Sequence, residues 1–436
     1  MPKRFPPPAP AEVGRSMEVK LRYGADEIEV ELPDGRVAFV AGPEEARGAG
    51  DLESRVAEAL ANPVGSPPLR RVAGKGKKVA IAVDDLTRST PCRAILPKVL
   101  GELAEAGVRE KDVKVIIALG THRPMTDAEI VERYGEEVVS RVEVENHDAK
   151  SKGAVTLGKT PSGTPVIVNR EFQSAEVKVA IGNVIPHLYA GWSGGAKSVQ
   201  PGVSSEATTF STHIAAARVP FEEILGKAEN PIRRDMEDVA RRVGLDFIVN
   251  TVLNGRGELV EAFAGDMVRA HREAVGLASG IFCPRIPSEA DVVLVSSHPA
   301  DIDYWQAVKG AVSASMAVKR GGTVILVTPC REGISPTHPD AERHGRHDLQ
   351  EVERLVEDRA IQDLASAAFA MVQARVRRKA KLVIVSEGLS RRQCASLGAE
   401  KAGSVREALE VSEAVSGRQA SIGVLTTSEV VPVIER

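Results

Sequence analysis

Cysteine is scarce in this 436-residue chain: there are four, at positions 92, 283, 330 and 394, and no two stand in a C-x-x-C spacing. That excludes a disulfide framework and a cysteine-built zinc site, and a reducing, cytoplasmic setting is expected. Long apolar runs are missing too. None approaches the roughly 18 residues that a membrane span needs, and the basic start Met-Pro-Lys-Arg has no apolar stretch of a secretory leader behind it. The first fifteen residues, rich in proline, read as a loose arm. Neither charge sign dominates, since 57 Lys and Arg face 60 Asp and Glu for a net charge of −3. Such a balance gives no attraction for nucleic acid or for an anionic membrane. No repeat of fixed period occurs.

What the chain does have is 43% hydrophobic residues and a length beyond what one core serves, which predicts more than one domain. Short β-branched runs at 78–85, 113–120, 177–183, 291–297, 323–329 and 381–388 are continuously apolar, as in strands covered on both faces of a parallel sheet. Helical periodicity at 94–106 and 307–320 completes β–α–β units, so the class is α/β with two largely parallel sheets flanked by helices. Residues 18–40 alternate instead and predict an antiparallel hairpin capping a sheet edge. The proline-bearing stretch 282–288 reads as a linker. It divides a cofactor-binding domain, 1–285, from a smaller domain, 289–412, with a strand-like segment in 415–436 returning to the first domain. The cleft between the two domains is the expected active site.

Open α/β sheets bind ligands beyond the carboxyl ends of their strands, and four predicted strand ends carry reactive side chains. Asp84-Asp85-Leu86-Thr87-Arg88-Ser89-Thr90-Pro91 follows the first. Ser89 or Thr90 reads as a helix cap with Pro91 at the first helical position, and Arg88 is left as a planar fork for a carboxylate or phosphate. His122 follows the second strand and His187 the third. Two imidazoles on one rim suit acid/base work on two sides of a substrate.

Beyond His187 runs Gly191-Trp192-Ser193-Gly194-Gly195-Ala196-Lys197, whose glycines let backbone approach a ligand closely, and His213 comes sixteen residues after the lysine. The run departs from a Gly-x-x-x-x-Gly-Lys-[Ser/Thr] phosphate loop. Ala196 replaces the last glycine, and the strand ends about eight residues too early. After the fourth strand, Trp305, Gln306 and Lys309 open a helix, the last two on one face, placed to close on the first domain. His338, His344 and His347 match no strong zinc spacing and read as a solvated loop. His147 and His271 read as ordinary satisfied histidines.

In order and spacing, Asp-Asp-Leu-Thr-Arg-Ser-Thr-Pro, Gly-Thr-His-Arg-Pro, and Pro-His-Leu-Tyr-Ala-Gly-Trp-Ser-Gly-Gly-Ala-Lys with the later His213 resemble the nickel-dependent lactate racemase family. The resemblance runs from Asp84 to about Lys309 and is more diffuse after that. It implies an isomerase, a racemase or epimerase, that inverts C2 of a 2-hydroxy acid by reversible hydride transfer to a nickel pincer nucleotide, Ni(II)-pyridinium-3,5-bisthiocarboxylate mononucleotide. By that resemblance Lys197 carries the nucleotide covalently, His213 ligates nickel, and His122 and His187 alternate as general bases. Asp85, Leu86, Thr87, Arg88, Gln306 and Lys309 then surround the cofactor and the substrate carboxylate. Imidazole and soft sulfur are ligands that nickel accepts. Proteins that make and deliver the cofactor are implied as partners.

The chain also departs from the family. Members usually have tyrosine where Trp305 stands, and a tryptophan in the stretch matching 360–380, which here has none. These side chains are expected around the substrate's tail, so a larger or more polar acid than lactate is a candidate substrate. Three alternatives stand beside the racemase. One is a carrier or sensor that loads the cofactor without turnover, and another is an ATP-using phosphotransferase. The third is a one-way oxidoreductase, for which no Gly-x-Gly-x-x-Gly follows a strand.

Overall fold

The computed structural model describes residues 16–435, so the proline-rich start lies outside the described residues. Two six-stranded sheets organise the chain. The first has the spatial order Leu259–Gly265, Phe247–Leu253, Val177–Asn183, Val79–Val83, Val113–Ile117 and Glu143–Asn146, with only Leu259–Gly265 antiparallel. Val79–Val83 and Val177–Asn183 are buried at every position because both faces are covered. Val79, Ile81 and Val83 join one layer with Ile95, Leu96 and Val99 of the helix Cys92–Glu105. Ala80 and Ala82 face the other way, toward Ala196, Val199 and Val203. Their small side chains let the lysine segment lie close against the sheet.

The strand order reverses between Val79–Val83 and Val177–Asn183, the switch point where such sheets open a crevice. Asp84 clasps the two strand ends there. Its Oδ2 accepts from Thr90 Oγ1 at 2.7 Å and from the Asn183 backbone N–H at 3.2 Å. The Thr90 hydroxyl is thereby taken up, and the following helix is preceded by Pro91 with no side-chain cap, so neither Ser89 nor Thr90 caps it.

The second sheet is parallel throughout, in the order Glu400–Ala402, Lys381–Val385, Val318–Val327, Ala290–Ser296, Ile422–Leu425 and Val37–Ala41. This corrects the expected boundaries. Ile422–Leu425, buried at all four positions, sits inside the second sheet and does not return to the first. Residues 37–41 supply that sheet's edge, although they precede the whole first sheet in the chain. The hairpin Ser16–Tyr23 and Asp26–Pro33 covers a face and not an edge, since its alternate residues Val19, Leu21, Val30 and Leu32 pack on Val292, Leu294 and Ile325. Alternation supplies one apolar face, and burying four such side chains contributes about 1.5–3 kcal/mol each. The expected linker instead holds a short strand, Arg285–Ile286, paired with Val433–Ile434. Among the described residues no helix is long and apolar enough to cross a membrane.

Candidate active site

The carboxyl ends of both sheets face one cavity, and the residues singled out in the sequence meet there: Asp85, Arg88, His122, His187, Lys197, His213, Trp305, Gln306 and Lys309 all line it. Leu86 and Thr87 lie just outside, around an adjoining hollow.

His122 is held from both domains. Its Nδ1 lies 2.6 Å from Asp85 Oδ2, while Asp85 Oδ1 accepts from the Thr87 backbone N–H at 2.9 Å and the Thr87 hydroxyl at 2.6 Å. Burial alone would raise the Asp85 carboxyl. His122, Arg88 and the Thr87 hydroxyl together hold it well below the usual carboxylate range. Asp85 is thus an acceptor, so the neutral His122 ring carries its proton on Nδ1 and its lone pair on Nε2. Across the cleft, Asp303 caps the helix Tyr304–Ser315 by accepting from the Gln306 backbone N–H at 2.8 Å, which sets Gln306 and Lys309 one turn apart. Lys309 Nζ donates to Gln306 Oε1, turning the amide nitrogen to His122 Nε2 at 3.2 Å. Burial pushes the Asp303 carboxyl up to about 6. For His122, burial lowers the proton affinity and Asp85 opposes it.

Among the described residues His187 has no carboxylate partner. Its Nδ1 accepts the Tyr189 backbone N–H at 3.2 Å, so the neutral ring carries its proton on Nε2. Burial, then Lys197, Lys309 and Arg88, hold it well below the ordinary histidine range. His213, on the helix Glu206–Arg218, places Nδ1 2.9 Å from the Thr209 carbonyl one turn back. A carbonyl only accepts, so Nδ1 bears the proton and Nε2 keeps a lone pair, and burial followed by the Lys197 charge brings the ring down to about 3.

Lys197 sits in a four-residue 3-10 turn, Gly195–Ser198, and not at the start of a longer helix after a strand. The nucleoside-triphosphate cradle is therefore absent. Burial and the Arg88 guanidinium bring its ammonium down to about 7, with Asp84 and Asp85 opposing. The loop before it is held by its own carbonyls. Arg233, 1% exposed, donates to the carbonyls of Ala190 at 3.3 Å, Gly194 at 3.1 Å and Trp192. His271 Nε2 lies 2.8 Å from the Ser193 carbonyl, and Asn250 Oδ1 accepts the Gly195 N–H at 2.9 Å. Gly191 is required outright, because at φ +79° a Cβ there would lie 2.1 Å from the Lys227 carbonyl oxygen.

Several members of this site carry no pattern in the sequence. Arg233 and Asn250 come from elements distant in the chain, and His271 acts through backbone. Phe369 occupies the cavity wall within the stretch that lacks tryptophan, its ring stacked on Trp305 at 5.1 Å. The histidine cluster is corrected outright. His338 and His344 are 4% and 6% exposed, because His338 is stacked on Trp305 at 4.2 Å and His344 lies in a packed helix, Asp340–His344. Only His347 stays near the surface, paired with Glu351 at 2.8 Å. Alternation of polar residues concealed a segment that folds inward.

Comparison with known proteins identifies the family. The family model for the lactate racemase N-terminal domain matches residues 23–223, and that for the lactate racemase C-terminal domain matches 286–434. A lactate racemase of Thermoanaerobacterium thermosaccharolyticum is 29% identical over 414 residues, 93% of this chain and 97% of that protein. One from Lactiplantibacillus plantarum is 29% identical over 380 residues, 86% of this chain and 89% of that protein. The solved structure of the T. thermosaccharolyticum lactate racemase apoprotein superposes with a TM-score of 0.85 at 28% identity, covering 96% of this chain and all of that one. A Thermotoga maritima protein at 19% identity, TM-score 0.70, covering 90% of this chain and all of its own, shares the fold. With both domain models matched in order across most of its length, the chain belongs to the lactate racemase family.

Proposed function

We propose that this protein is a racemase or epimerase that inverts C2 of a 2-hydroxy acid, lactate or a larger analogue, in a cytoplasmic setting. The observation that carries the reading is the complementary state of the two histidines on one cavity. His122 presents a lone pair at Nε2, and His187 presents a proton there. His122 as it stands takes the hydroxyl proton of one enantiomer; the neutral His187 N–H bonds the substrate oxygen, and His187 returns a proton on the opposite face only after taking one up as imidazolium, the roles exchanging in the reverse direction. Arg88 gives the substrate carboxylate a cationic partner, and Lys309 Nζ an N–H donor beside it. Gln306, held by Lys309, covers the His122 lone pair until the substrate hydroxyl takes its place.

The donor chemistry fits a nickel pincer nucleotide. An acyl linkage needs a neutral amine, which Lys197 supplies near neutral pH with no ion pair among the described residues to hold its proton. A metal needs an unprotonated nitrogen, which His213 offers at Nε2. No group of three His, Cys, Asp or Glu side chains among the described residues is arranged to hold a metal, so a metal here would draw its other ligands from a bound organic group. Lys197 and His213 would hold that cofactor, with Asp85, Leu86, Thr87, Arg88, Gln306 and Lys309 around it. When bound, it supplies a hydride acceptor for the C2 hydrogen, whose loss as a proton lies beyond the reach of an imidazole. Proteins that build and deliver the cofactor follow as partners.

The test is intact-protein mass spectrometry with nickel analysis, on protein produced alongside a cofactor biosynthesis pathway, followed by racemisation of both lactate enantiomers and a panel of larger 2-hydroxy acids. A mass adduct on Lys197, nickel and racemisation are expected. His122→Ala and His187→Ala should keep the adduct and lose turnover, while Lys197→Ala should lose the adduct. An unmodified, nickel-free protein under those conditions sinks the cofactor assignment. A fully loaded protein that racemises nothing on the panel makes it a carrier or sensor.

A further inference from the structure

His338 lies outside the cavity lining, yet it touches what flanks His122 on both sides. Its Nε2 lies 3.2 Å from the hydroxyl of Thr121, the residue before His122, across the cleft. Its ring stacks on Trp305 at 4.2 Å and 15°, and Trp305 precedes Gln306, the residue that reaches His122 Nε2. The orientation of the His338 ring is itself fixed. Nδ1 lies 2.8 Å from Asp363 Oδ2, and the same carboxylate caps the helix Leu364–Lys379 through the backbone N–H groups of Ala365 and Ser366 and bonds the Ser366 hydroxyl at 2.6 Å. Burial would raise Asp363, but the bond to His338 leads the interactions that hold it near 2. The carboxylate therefore accepts, Nδ1 carries the proton, and Nε2 is left to meet the Thr121 hydroxyl. A buried, helix-anchored imidazole thus ends on the backbone segment that carries an acid/base residue of the other domain. The neighbouring cross-cleft pair, Arg123 with Glu332 at 3.7 Å, is about one-third exposed on each side and holds far less.

We propose that His338, oriented by Asp363, is a positioning residue for His122, coupling closure of the second domain onto the first to the placement of that imidazole through Thr121 and Trp305. The inference rests on the racemase reading for its kinetic consequence but not for its structural one. His338 touches neither substrate nor cofactor. Without it the second domain can still bind substrate, but Thr121 loses its partner and the Trp305–Gln306 turn loses its backing, so His122 wanders from Gln306. A displacement on the order of 1 Å costs up to about a hundredfold in rate with little effect on binding.

The experiment compares His338→Phe, which keeps a stacking ring, His338→Gln, whose amide can still reach the hydroxyl, Thr121→Val, and His338→Phe with Thr121→Val together. Hydrogen–deuterium exchange is followed in the cofactor-free proteins, and kcat and KM in the loaded ones. His338→Phe should speed exchange across residues 119–125 and lower kcat by about 10–100-fold, with KM within about threefold. Thr121→Val should do likewise, the double variant should be no worse than the poorer single one, and His338→Gln should recover most of the rate. Unchanged exchange at 119–125 in His338→Phe, or multiplying losses in the double variant, overturns the proposal. Should His338→Phe not fold, Thr121→Val, which removes only a hydroxyl, carries both readouts. A wild-type protein that racemises nothing tells against the racemase reading, and exchange still decides the coupling.

Discussion

Lys197 should titrate as no surface lysine does, and its titration can be read without cofactor or substrate. An ordinary lysine near 10.5 is about 0.3% neutral at pH 8, whereas one brought down to about 7 is about nine-tenths neutral, an enrichment of roughly 300-fold in the nucleophilic form. Trace acetylation over a pH series, quantified peptide by peptide, gives that curve for Lys197 against the other lysines as internal references. A half-maximal yield near pH 7 is expected. The causes can be separated by sign. Burial leads and no substitution isolates it, but Arg88 pushes the value down, so Arg88→Met should move the midpoint up, while Asp85→Asn should move it down by removing a charge that opposes the shift. A midpoint above pH 9.5 in the wild type, or Arg88→Met and Asp85→Asn moving it the same way, would refute the electrostatic account of why this lysine reacts.

Four further outcomes follow from the same geometry. Asp85→Asn removes the acceptor that fixes the His122 tautomer and should lower kcat by about 10²–10⁴-fold. Because Asp85 raises the His122 proton affinity, the acid limb of the kcat/KM profile in any residual activity should also shift to lower pH, and an upward shift would contradict the pairing. Arg233→Met takes the donor from the buried Trp192 carbonyl, while those of Ala190 and Gly194 keep Asn230 and the Lys197 N–H, and should cost about 1–3 kcal/mol, read by urea unfolding; unchanged stability would show that water replaces the guanidinium. Gly191→Ala sets a Cβ against the Lys227 carbonyl and should abolish cofactor loading, measured by intact mass, while most of the protein stays folded. Trp305→Ala opens the wall that Trp305 and Phe369 make and should raise kcat/KM for bulky 2-hydroxy acids relative to lactate; an unchanged ratio would place the tail elsewhere.

The sequence made the strands and the rim legible because both are written locally. Residues 177–183 need only be apolar without interruption to be a strand buried on two faces, and His187 need only follow it to reach the rim. Topology was less visible. Residues 37–41 join the second sheet beside Ile422–Leu425, a pairing across nearly the whole chain that no periodicity announces. The hairpin's alternation showed that one face is buried but not against which sheet. At the site, the reactive side chains on the cavity sit in motifs, while Arg233, Asn250 and Phe369 do not. Arg233 reads as one more charge on an amphipathic helix, and only its three carbonyl bonds show that it holds the lysine loop. His338 failed for the opposite reason: its polar neighbours look solvated, while the ring itself is turned inward by Asp363 and Trp305.

Arg88, Lys197 and Lys309 share one cavity, and each lysine's proton is weakened first by burial and then by the neighbouring cations. Folding thus gathers like charges that the unfolded chain keeps apart, and a small oxyanion relieves that repulsion whether or not it is a substrate. The thermal stability of the cofactor-free protein should therefore depend on its buffer. An oxyanion at a hundred times its dissociation constant adds about 2.7 kcal/mol by mass action. Phosphate, sulfate and oxalate become stabilisers of the fold and, by the same contacts, competitors for the site.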